Sequence, residues 1–403
     1  MTRQFKLVVV GAGPVGVVAA LAAVQAGFDV TIFESALEVD HSPRAATTHP
    51  STLEMIHRLG LLDRFLAEGL VARDFQFWDR ESHSLVATFD HDVLRDDTPF
   101  PFAVQTEQHK LVHMGLDALR SLGCAIHFGT RVTSCVQNAD RVTLDIETNG
   151  ERATVEADWV IAADGGRSTM RKNLGIEFEG YTWPERFIVL TVLDDMQKHM
   201  QCCYRNYLAG EGEWVSIFKV AGDDGQGRWR VVSPTRPDET DEEALSDAAV
   251  AWRLERAYPL DRPYQLIHRN LYRVHQRVAA AFRAGRILLA GDAAHVNNPL
   301  GGLGLNFGIH DAMDAVVALA AVAMHGADEA LLDNYAQRRR ALNIEYVQQQ
   351  TIANKKRLEP KSPEARRADF DELRATAEDQ VRARAFLLRS SLISSVREAR
   401  IMA

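Results

Sequence analysis

The start of the chain constrains the fold most, because it combines two apolar runs with a glycine-rich turn between them. In order, it contains a strand at 6–10, a turn with Gly11, Gly13 and Gly16, a helical run at 17–26 that ends at Gly27, and a strand at 29–33. In such a βαβ unit the glycines permit a tight turn, close approach of a pyrophosphate and tight helix–strand packing. Glu34, at the end of the second strand, is placed to accept hydrogen bonds from a ribose. The unit predicts dinucleotide binding, with an unphosphorylated ribose as in FAD or NAD.

A second glycine-rich turn follows an apolar strand at 287–290. The chain turns at Gly291-Asp292, passes Pro299 and three glycines between 301 and 304, and becomes helical in pattern from Asn306. Glycine lets backbone N–H groups approach a ligand, and a helix N-terminus adds about half a positive charge. The stretch therefore predicts a site for an anionic group, with an ordinary capped turn as the alternative.

Two further segments carry polar residues that fit the same ligand. The apolar strand 159–163 ends in Asp164-Gly165, although a plain strand-to-helix turn has the same pattern. In the loop 38–50, the planar fork of Arg44 suits a phosphate, and a surface arginine is the alternative. His49, in the same loop, is assigned equally to a structural role or to a position facing the ligand.

Composition narrows the class of protein. The chain has 403 residues, 46% of them hydrophobic, so it can bury a large core in two or three domains. A net charge of −9 without a basic block argues against nucleic acid as a partner. The four cysteines form no CxxC pair, which predicts a reduced, cytoplasmic protein. No signal peptide is expected, and the apolar run 315–324 is too short for an integral membrane segment.

The remaining segments predict additional sheets and helices. Short strands between 125 and 156 predict a small meander, and 239–256 predicts one helix. From Tyr181 to about His275 aromatic residues become frequent, which indicates a separate, mostly antiparallel sheet. The segments 329–357 and 370–403 are charged and helical in pattern.

The three motifs, Gly11-x-Gly13-x-x-Gly16 with Glu34, Asp164-Gly165 with Arg171, and Gly291-Asp292 with 299–306, occur in an order and spacing that carry a resemblance. Over residues 5–325 the chain resembles the single-component (group A) flavoprotein aromatic hydroxylases, the p-hydroxybenzoate hydroxylase-like family. The resemblance implies an α/β fold: a Rossmann-like FAD-binding domain (GR2-type), an inserted, mostly antiparallel β-sheet substrate domain, and C-terminal helices. The implied divisions are 1–72, 105–180 and 276–325 for the FAD-binding domain, 73–104 and 181–275 for the substrate domain, and 326–403 for the C-terminal helical segment.

The resemblance also implies roles for residues at matching positions. For the adenosine and pyrophosphate part of FAD, it implies Gly11, Gly13, Pro14, Val15 and Gly16 at the pyrophosphate, Glu34 at the ribose and Val132 at the adenine. Arg44 and Gln105 are implied as side-chain contacts, Asp164 belongs to a motif shared with NAD(P)H, and Asp292 is implied at the ribityl chain. Pro299 is implied near the flavin and substrate ring, and the backbone amides of Leu303, Gly304, Leu305 and Asn306 at the flavin ring.

The implied activity is hydroxylation of a phenolic or heteroaromatic small molecule through a flavin C4a-hydroperoxide. The cofactor is FAD, NADH or NADPH is a transient reductant, and O₂ is the co-substrate. No metal is expected, and monomer and homodimer both stay open. Two alternatives stay open as well: an FAD monooxygenase that inactivates a non-native aromatic compound, and a flavin-binding protein without hydroxylase activity. A flavin-dependent halogenase is disfavoured because its Trp-x-Trp-x-Ile-Pro motif has no counterpart here.

The substrate should lie against the sheet formed by about 201–220. Tyr204, Trp214, Ser216 and Phe218 have suitable types and alternate spacing for one face, with Pro299 opposite, although core packing explains them equally well. No arginine of this sheet is identified as a carboxylate clamp, which favours a less acidic or heteroaromatic ring over a benzoate. The group that deprotonates the substrate is unknown, with His49 as the one candidate.

Overall fold

The computed structural model of the protein describes residues 4–359 and 362–402. The strands are β1 (Lys6–Val10), β2 (Asp29–Phe33), β3 (Thr47–Thr48), β4 (Leu70–Ala72), β5 (Asp74–Asp79), β6 (Ser84–Asp90), β7 (Ala103–Gln105), β8 (Ala125–His127), β9 (Thr130–Gln137), β10 (Val142–Thr148), β11 (Glu151–Ala157), β12 (Trp159–Ala162), β13 (Phe178–Val192), β14 (Arg205–Ala209), β15 (Trp214–Val220), β16 (Arg228–Pro234), β17 (Leu266–Ala279), β18 (Arg283–Ala284), β19 (Ile287–Leu289) and β20 (His295–Val296).

The α-helices are α1 (Pro14–Gln25), α2 (Pro50–Arg58), α3 (Leu62–Glu68), α4 (Gln108–Ser121), α5 (Thr169–Asn173), α6 (Met196–Met200), α7 (Asp241–Leu245), α8 (Asp247–Ala257), α9 (Leu303–His325), α10 (Ala330–Asn343), α11 (Gln349–Leu358), α12 (Pro363–Glu378), α13 (Gln380–Ser390) and α14 (Ile393–Ile401). A π-helical turn, Ile344–Gln348, joins α10 to α11, and 3₁₀ turns span His91–Leu94 and Gly291–Ala293.

A six-stranded sheet organises the part of the chain that carries the glycine motifs. Its order is β18-β19-β12-β1-β2-β8, and every pair is parallel except the β18–β19 hairpin. The central strands β1, β12 and β19 are almost wholly buried apolar runs, as expected for a parallel sheet covered on both faces, whereas the edge strands β8 and β18 are partly exposed. Helix α1 packs against both α4 and α9. The carboxyl ends of β1, β12 and β19 therefore bring the three motif turns to one edge of the sheet.

An eight-stranded sheet forms the second large layer, in the order β20-β17-β13-β16-β15-β14-β5-β6. All of its pairs are antiparallel except β14–β5. One face packs in a cluster with residues of α8, and the other packs with residues of α11, α12 and α13. Strands β13 and β17 are long, and β17 also pairs with β20 beside the second glycine-rich turn. The sheet thus extends from the aromatic-rich segment to the edge where the motifs meet.

The predicted meander is present but shorter than expected. Strands β9, β10 and β11 form a three-stranded antiparallel sheet, whereas β8, assigned to it from the sequence, pairs in parallel with β2 at the edge of the six-stranded sheet. That assignment was wrong because three residues show no pattern that separates a parallel edge strand from a meander strand.

Helix boundaries also differ from the sequence pattern. The expected helix 239–256 is two helices, α7 and α8, because Ser246 leaves the helical conformation and its hydroxyl accepts a hydrogen bond from Ala249 N. The helical pattern after residue 300 begins at Leu303 rather than Asn306. The segment 370–403 contains parts of three helices, α12 to α14.

Among the described residues, α9 is the one helix long and apolar enough to cross a membrane by length and composition. It packs against α1, α2 and α10, and more than half of its most apolar stretch is buried. That environment is the one expected for a core helix.

Candidate active site

The glycine turn after β1 has the geometry of a pyrophosphate-binding loop. Gly11 has φ +102°, and a Cβ added to it would lie 2.4 Å from the Ala163 carbonyl oxygen. A Cβ on Gly16 would lie 1.9 Å from the Gly11 carbonyl oxygen. By contrast, nothing lies within 4 Å of a Cβ placed on Gly13. Two glycines are thus required by packing, and the middle one borders open space where a ligand can approach the backbone.

Glu34 closes the same turn from the end of β2. Its Oε2 accepts a hydrogen bond from Ala12 N at 2.7 Å, and its Oε1 accepts one from Ala36 N at 2.8 Å. The side chain stays partly exposed. Its carboxylate is therefore fixed at the mouth of the loop with lone pairs left for a ligand hydroxyl.

Gln105 shows an unused hydrogen-bond donor. Its side chain is 0% exposed, and its Oε1 accepts from the Thr47 hydroxyl at 2.8 Å. Its Nε2 has no hydrogen-bond partner. A buried amide without a partner costs free energy, so this nitrogen marks a place where a ligand acceptor is expected.

Arg44 and Asp292 border the same crevice. The Arg44 side chain is exposed and pairs with Asp40 at 2.9 Å, while its carbonyl oxygen accepts from Arg230 Nη1. The Asp292 side chain is exposed, yet the surrounding protein desolvates its carboxyl and raises the carboxyl pKa, while the charges of His295 and Arg44 act in the opposite direction.

The Asp164 motif connects two of the turns. The carboxylate accepts hydrogen bonds from the Ser168 hydroxyl at 2.6 Å and from Met170 N at 3.0 Å, and burial raises its pKa. Arg171 donates to the carbonyl oxygens of Gly166 and Ala293 and stacks 3.8 Å from the Phe178 ring centroid. Arg171 therefore joins the turn after β12 to the turn after β19.

Helix α9 begins with its backbone donors uncapped by any side chain. Gly302, its N-cap, has φ +67°, and a Cβ there would lie 3.0 Å from Thr47 Cβ. Asn306 is fully buried: its Oδ1 accepts from His49 N at 2.8 Å, and its Nδ2 donates to the Thr47 and Gly302 carbonyls. The Asn306 side chain thus holds the loop around residue 48 against the helix N-terminus, which leaves the first-turn amides to a ligand.

The other predicted cofactor contacts differ in how deeply their side chains are buried. Pro14 and Val15 form the first turn of α1, and Leu305 is half-buried in the first turn of α9. Val132 is buried in β9, and Leu303 is buried beside Phe307. Pro299 is exposed. Side chains of Val132 and Leu303 pack in the core, so only their backbones remain for a cofactor.

These features fit FAD. Thr47 contacts both Gln105 and the start of α9, and Gly291 lies against Val15 of the first glycine turn, so the open side of Gly13, the unpaired Nε2 of Gln105 and the uncapped start of α9 belong to one region, the candidate cofactor crevice. Backbone amides and a helix N-terminus suit a pyrophosphate and an electron-rich flavin ring, whereas Glu34 suits a ribose.

A cavity lies beside the start of α9, between the eight-stranded sheet and the C-terminal helices. His49 and Gly301 border it from the cofactor side, and Arg205 and Tyr207 border it from β14. The remaining lining residues are Phe75, Phe77, His91, Asn354, Arg357, Leu358, Phe386 and Ser390. The wall is therefore largely aromatic, with a few cationic and neutral polar groups, as is usual for a small-molecule site.

The two ring nitrogens of His49 have different surroundings in this cavity. Nε2 lies 2.8 Å from the Gly301 carbonyl oxygen, which only accepts hydrogen bonds, so Nε2 carries the proton. Nδ1 is then an unprotonated acceptor, and it is buried without a partner. Burial, followed by the charge of Arg205, holds the pKa of His49 well below its usual value. The ring is a neutral, unused proton acceptor.

Arg205 brings a positive charge to the same cavity. It is 4% exposed, its Nη1 has no hydrogen-bond partner, and it forms no ion pair with any described residue. Its guanidinium lies 5.1 Å from the Phe75 ring centroid. Burial and the Arg205 charge together lower the pKa of His91 to about 3. A buried, unpaired guanidinium beside neutral histidines is a site for an anion.

The predicted substrate residues are only partly placed as expected. Cross-strand pairing sets Phe218 opposite Arg205, Ser216 opposite Tyr207 and Trp214 opposite Ala209, so all three share the face that borders the cavity. None of the three lines the cavity itself.

Tyr204 does not share that face. It precedes β14, and the Lys219 ammonium lies over its ring at 5.4 Å and over Trp229, which belongs to the cluster on the opposite face. The alternation assumed between Tyr204 and Phe218 was wrong because β14 and β15 are separate strands.

Arg205 was missed: no arginine of this sheet was identified from the sequence, whereas the structure places Arg205 of β14 at the cavity wall. The spacing of Arg205 and Tyr207 in a short strand could have indicated that the two side chains share one face. Which face of the sheet they share depends on the register of β14 with β15. Arg357 and Phe386 were unpredictable, because they reach the cavity only through the packing of α11 and α13.

Comparison with known proteins identifies the family. The profile described as "FAD binding domain" matches residues 4–350, and the chain belongs to this family. The chain is 34% identical over 390 residues to para-nitrophenol 4-monooxygenase of Pseudomonas sp. (strain WBC-3), covering 95% of this chain and 94% of that enzyme. It is 31% identical over 375 residues to 6-hydroxy-3-succinoylpyridine 3-monooxygenase of Pseudomonas putida (strain DSM 28022 / S16), covering 90% and 91%.

A solved structure gives the same result. The crystal structure of a p-nitrophenol 4-monooxygenase from Pseudomonas putida DLL-E4 superposes with a TM-score of 0.90 at 34% identity, covering 96% of this chain and 98% of that one. The protein is thus an FAD-dependent aromatic monooxygenase of the p-hydroxybenzoate hydroxylase-like group, with NAD(P)H as reductant. The expectations of fold class, cofactor and hydroxylase activity are confirmed.

Proposed function

We propose that the enzyme hydroxylates a small phenol or hydroxypyridine whose ring carries an electron-withdrawing or anionic group. The proposal rests mainly on the cavity, in which the neutral His49 with its free Nδ1 lies near the unpaired, buried Arg205. The names of the two relatives, a nitrophenol and a hydroxypyridine monooxygenase, describe rings of this kind.

The proposed role of His49 is to accept the phenolic proton at Nδ1. Its pKa is low, so it is a weak base and suits a phenol that ionises readily. An electron-withdrawing substituent gives the ring that property. Removing the proton makes the ring more electron-rich at the carbon that is hydroxylated.

The proposed role of Arg205 is to stabilise negative charge on the bound ring, with Arg357 as a second cation at the wall. A guanidinium suits a phenolate, nitro or carboxylate oxygen because its planar donors match paired acceptors. Phe75, Phe77 and Phe386 offer apolar faces for the ring.

Bound FAD supplies the redox chemistry, taking electrons from NAD(P)H and activating O₂ toward the ring. In our proposal, residues 11–16 hold its pyrophosphate, Glu34 its ribose, and Gln105, Arg44 and Asp292 its remaining polar groups. The uncapped amides of α9 face the flavin ring. We propose that α11 and α13 keep water from the reacting ring, because they contribute to the cavity wall.

The division into domains follows the same proposal. We assign FAD binding to the six-stranded sheet with its helices, and substrate binding to the face of the eight-stranded sheet that borders the cavity. The four free cysteines and the burial of α9 support a cytoplasmic location.

The test is oxidation of NADH and NADPH by the FAD-loaded enzyme with matched ring compounds, with hydrogen peroxide and hydroxylated product both quantified. The panel is 4-nitrophenol, 4-hydroxybenzoate, 6-hydroxy-3-succinoylpyridine, unsubstituted phenol and nitrobenzene. We expect stimulated, product-coupled oxidation with one or more of the first three, weaker stimulation with phenol and none with nitrobenzene. Equal product formation from phenol and the activated phenols contradicts the proposal.

A further inference from the structure

His41, His109 and Asp223 form a cluster on the surface, outside the cavity, and His113 lies beside His41. His109 and His113 belong to α4, His41 to the loop after β2, and Asp223 to the turn between β15 and β16. Three segments that are distant in sequence thus converge on one point.

The helix supplies two of the imidazoles. His109 and His113 are four residues apart, so both imidazoles project from the same face of α4. His109 is 7% exposed, which restricts its ring, whereas His113 is half-buried at the surface.

The distances place His41, His109 and Asp223 within reach of a single ion, with His113 adjacent to His41. The Nε2 atoms of His41 and His113 are 3.4 Å apart, and two nitrogens bound to one tetrahedral zinc at about 2.1 Å are separated by about that distance. His109 Nε2 lies 3.0 Å from Asp223 Oδ1. Ligand atoms of His41, His109 and Asp223 all lie within 4.8 Å of one another.

The nearest lysine does not add an unbalanced positive charge to the cluster. Lys110 follows His109 in the chain, but its ammonium pairs with Glu107 at 3.0 Å and donates to the Gly222 carbonyl. Its charge is therefore balanced beside the cluster. The imidazole rings lie 4.4 to 6.3 Å apart by centroid.

We propose that His41, His109 and Asp223 bind a transition-metal dication of the zinc class, with His113 next to His41 at the edge of the site. Two imidazoles and one carboxylate select Zn²⁺, Ni²⁺, Co²⁺ or Cu²⁺ over Mg²⁺ and Ca²⁺, which prefer all-oxygen sites. The exposed Asp223 side chain makes the site open and exchangeable.

The ion would cross-link the cofactor loop to the rest of the protein. His41 precedes Arg44 by three residues, and the Arg44 carbonyl is held by Arg230 of the eight-stranded sheet. Because Arg44 borders the proposed FAD crevice, we infer that metal binding slows FAD release. This consequence rests on the proposed role of Arg44, whereas the metal site itself does not.

The experiment compares chelator-treated, FAD-loaded wild-type enzyme with His109→Ala/His113→Ala and Asp223→Asn variants. His268→Ala is the matched control, because His268 is an exposed histidine outside the cluster. Binding of Zn²⁺ is measured by calorimetry, and binding of Co²⁺ by its visible absorption beyond the flavin bands. We expect one equivalent of tightly bound Zn²⁺ in wild type and control, and at least about a 100-fold weaker affinity in the double variant.

Equal Zn²⁺ affinity in wild type and the double variant, or no binding by wild type, overturns the metal site. Circular dichroism checks that the variants are folded, and Asp223→Asn tests the site through a replacement of nearly unchanged shape. The rate of FAD release with and without Zn²⁺ is measured separately. An unchanged rate in metal-loaded wild type overturns the cofactor link while the metal site stands, and neither result depends on which aromatic compound the enzyme hydroxylates.

Discussion

At the scale of single residues, His49 has the clearest chemical signature in the cavity. One ring nitrogen is occupied by the Gly301 carbonyl, and the other is a buried acceptor without a partner. His91 has a similar position, but its Nδ1 lies 2.9 Å from the Arg73 carbonyl oxygen. The two histidines therefore provide a test residue and a matched control.

We expect His49→Asn to lower kcat about 100-fold for a phenol that is protonated at the assay pH. The loss should shrink as pH rises through the ionisation of the substrate itself, because a substrate that is already a phenolate needs no base. Steady-state pH profiles of wild type, His49→Asn and His91→Asn check this. A constant deficit at every pH would show that His49 only shapes the cavity.

Arg205 is the second cavity residue with a hydrogen-bonding group that no other residue uses. We expect Arg205→Met to raise KM for anionic ring compounds at least about tenfold, because a desolvated charge-assisted hydrogen bond contributes roughly 1.5–3 kcal/mol. Arg273→Met, at an exposed position of β17, should leave KM unchanged. Dissociation constants measured by the flavin spectrum separate binding from turnover. Equal weakening for an uncharged analogue would assign Arg205 to packing instead.

At the scale of elements, helix α9 couples the cofactor crevice to the cavity. Its N-terminus is held by Asn306, which binds the loop that carries His49, and the same loop contacts Gln105 through Thr47. A single buried amide therefore aligns the helix start, the loop from Thr47 to His49 and, within that loop, the proposed base.

We expect Asn306→Ala to weaken FAD binding and to destabilise the protein by about 1–3 kcal/mol, since it leaves the His49 N–H and Thr47 carbonyl without partners. Asn173→Ala is the control, because Asn173 is exposed and donates one hydrogen bond to Thr133. Fluorescence titration with FAD and thermal unfolding with excess FAD provide the measurements. Wild-type FAD affinity in Asn306→Ala would rule out this role.

At the scale of the whole molecule, three buried histidines connect stability to pH. Burial is the main cause that lowers the pKa of His49, His91 and His310, with Arg205 acting on the first two and Arg339 on the third. The values for His91 and His310 are about 3. All three stay neutral in the folded protein, while the unfolded chain protonates them near their ordinary pKa of about 6.5.

The sign follows from proton linkage. Below about pH 6.5 the unfolded state binds more protons, so stability is lost as pH falls, by about 1.4 kcal/mol per histidine between pH 7.5 and 5.5. Three histidines give about 4 kcal/mol. We expect thermal unfolding of the FAD-loaded enzyme to show this loss, and His310→Gln to reduce it by about a third. A stability independent of pH in this window would mean that these histidines bind protons equally in the folded and unfolded states.

The sequence alone determined the dinucleotide unit and its ligand class. Each of those signals is local: the spacing of Gly11, Gly13 and Gly16, the acid at Glu34, and the glycines before α9 depend on backbone geometry within a few residues. The fold class followed, because a strand, glycine turn and helix in this order permit few topologies. Even so, short segments such as β8 were misassigned, since three residues carry no pattern of their own.

Only the tertiary structure revealed the cavity proposed as the substrate site. His49, Arg205 and Arg357 come from a loop, strand β14 of the eight-stranded sheet and a C-terminal helix, and in the sequence alone each could equally be an ordinary surface residue. The register of β14 with β15 determined that Arg205 faces the cavity and Tyr204 does not. The metal-ligand cluster has the same origin, because His41 and Asp223 meet α4 only after the two large sheets have packed. Burial removes water from these groups and leaves their hydrogen-bonding capacity unused. Burial depends on the packing of the whole chain, so it cannot be determined from a local segment.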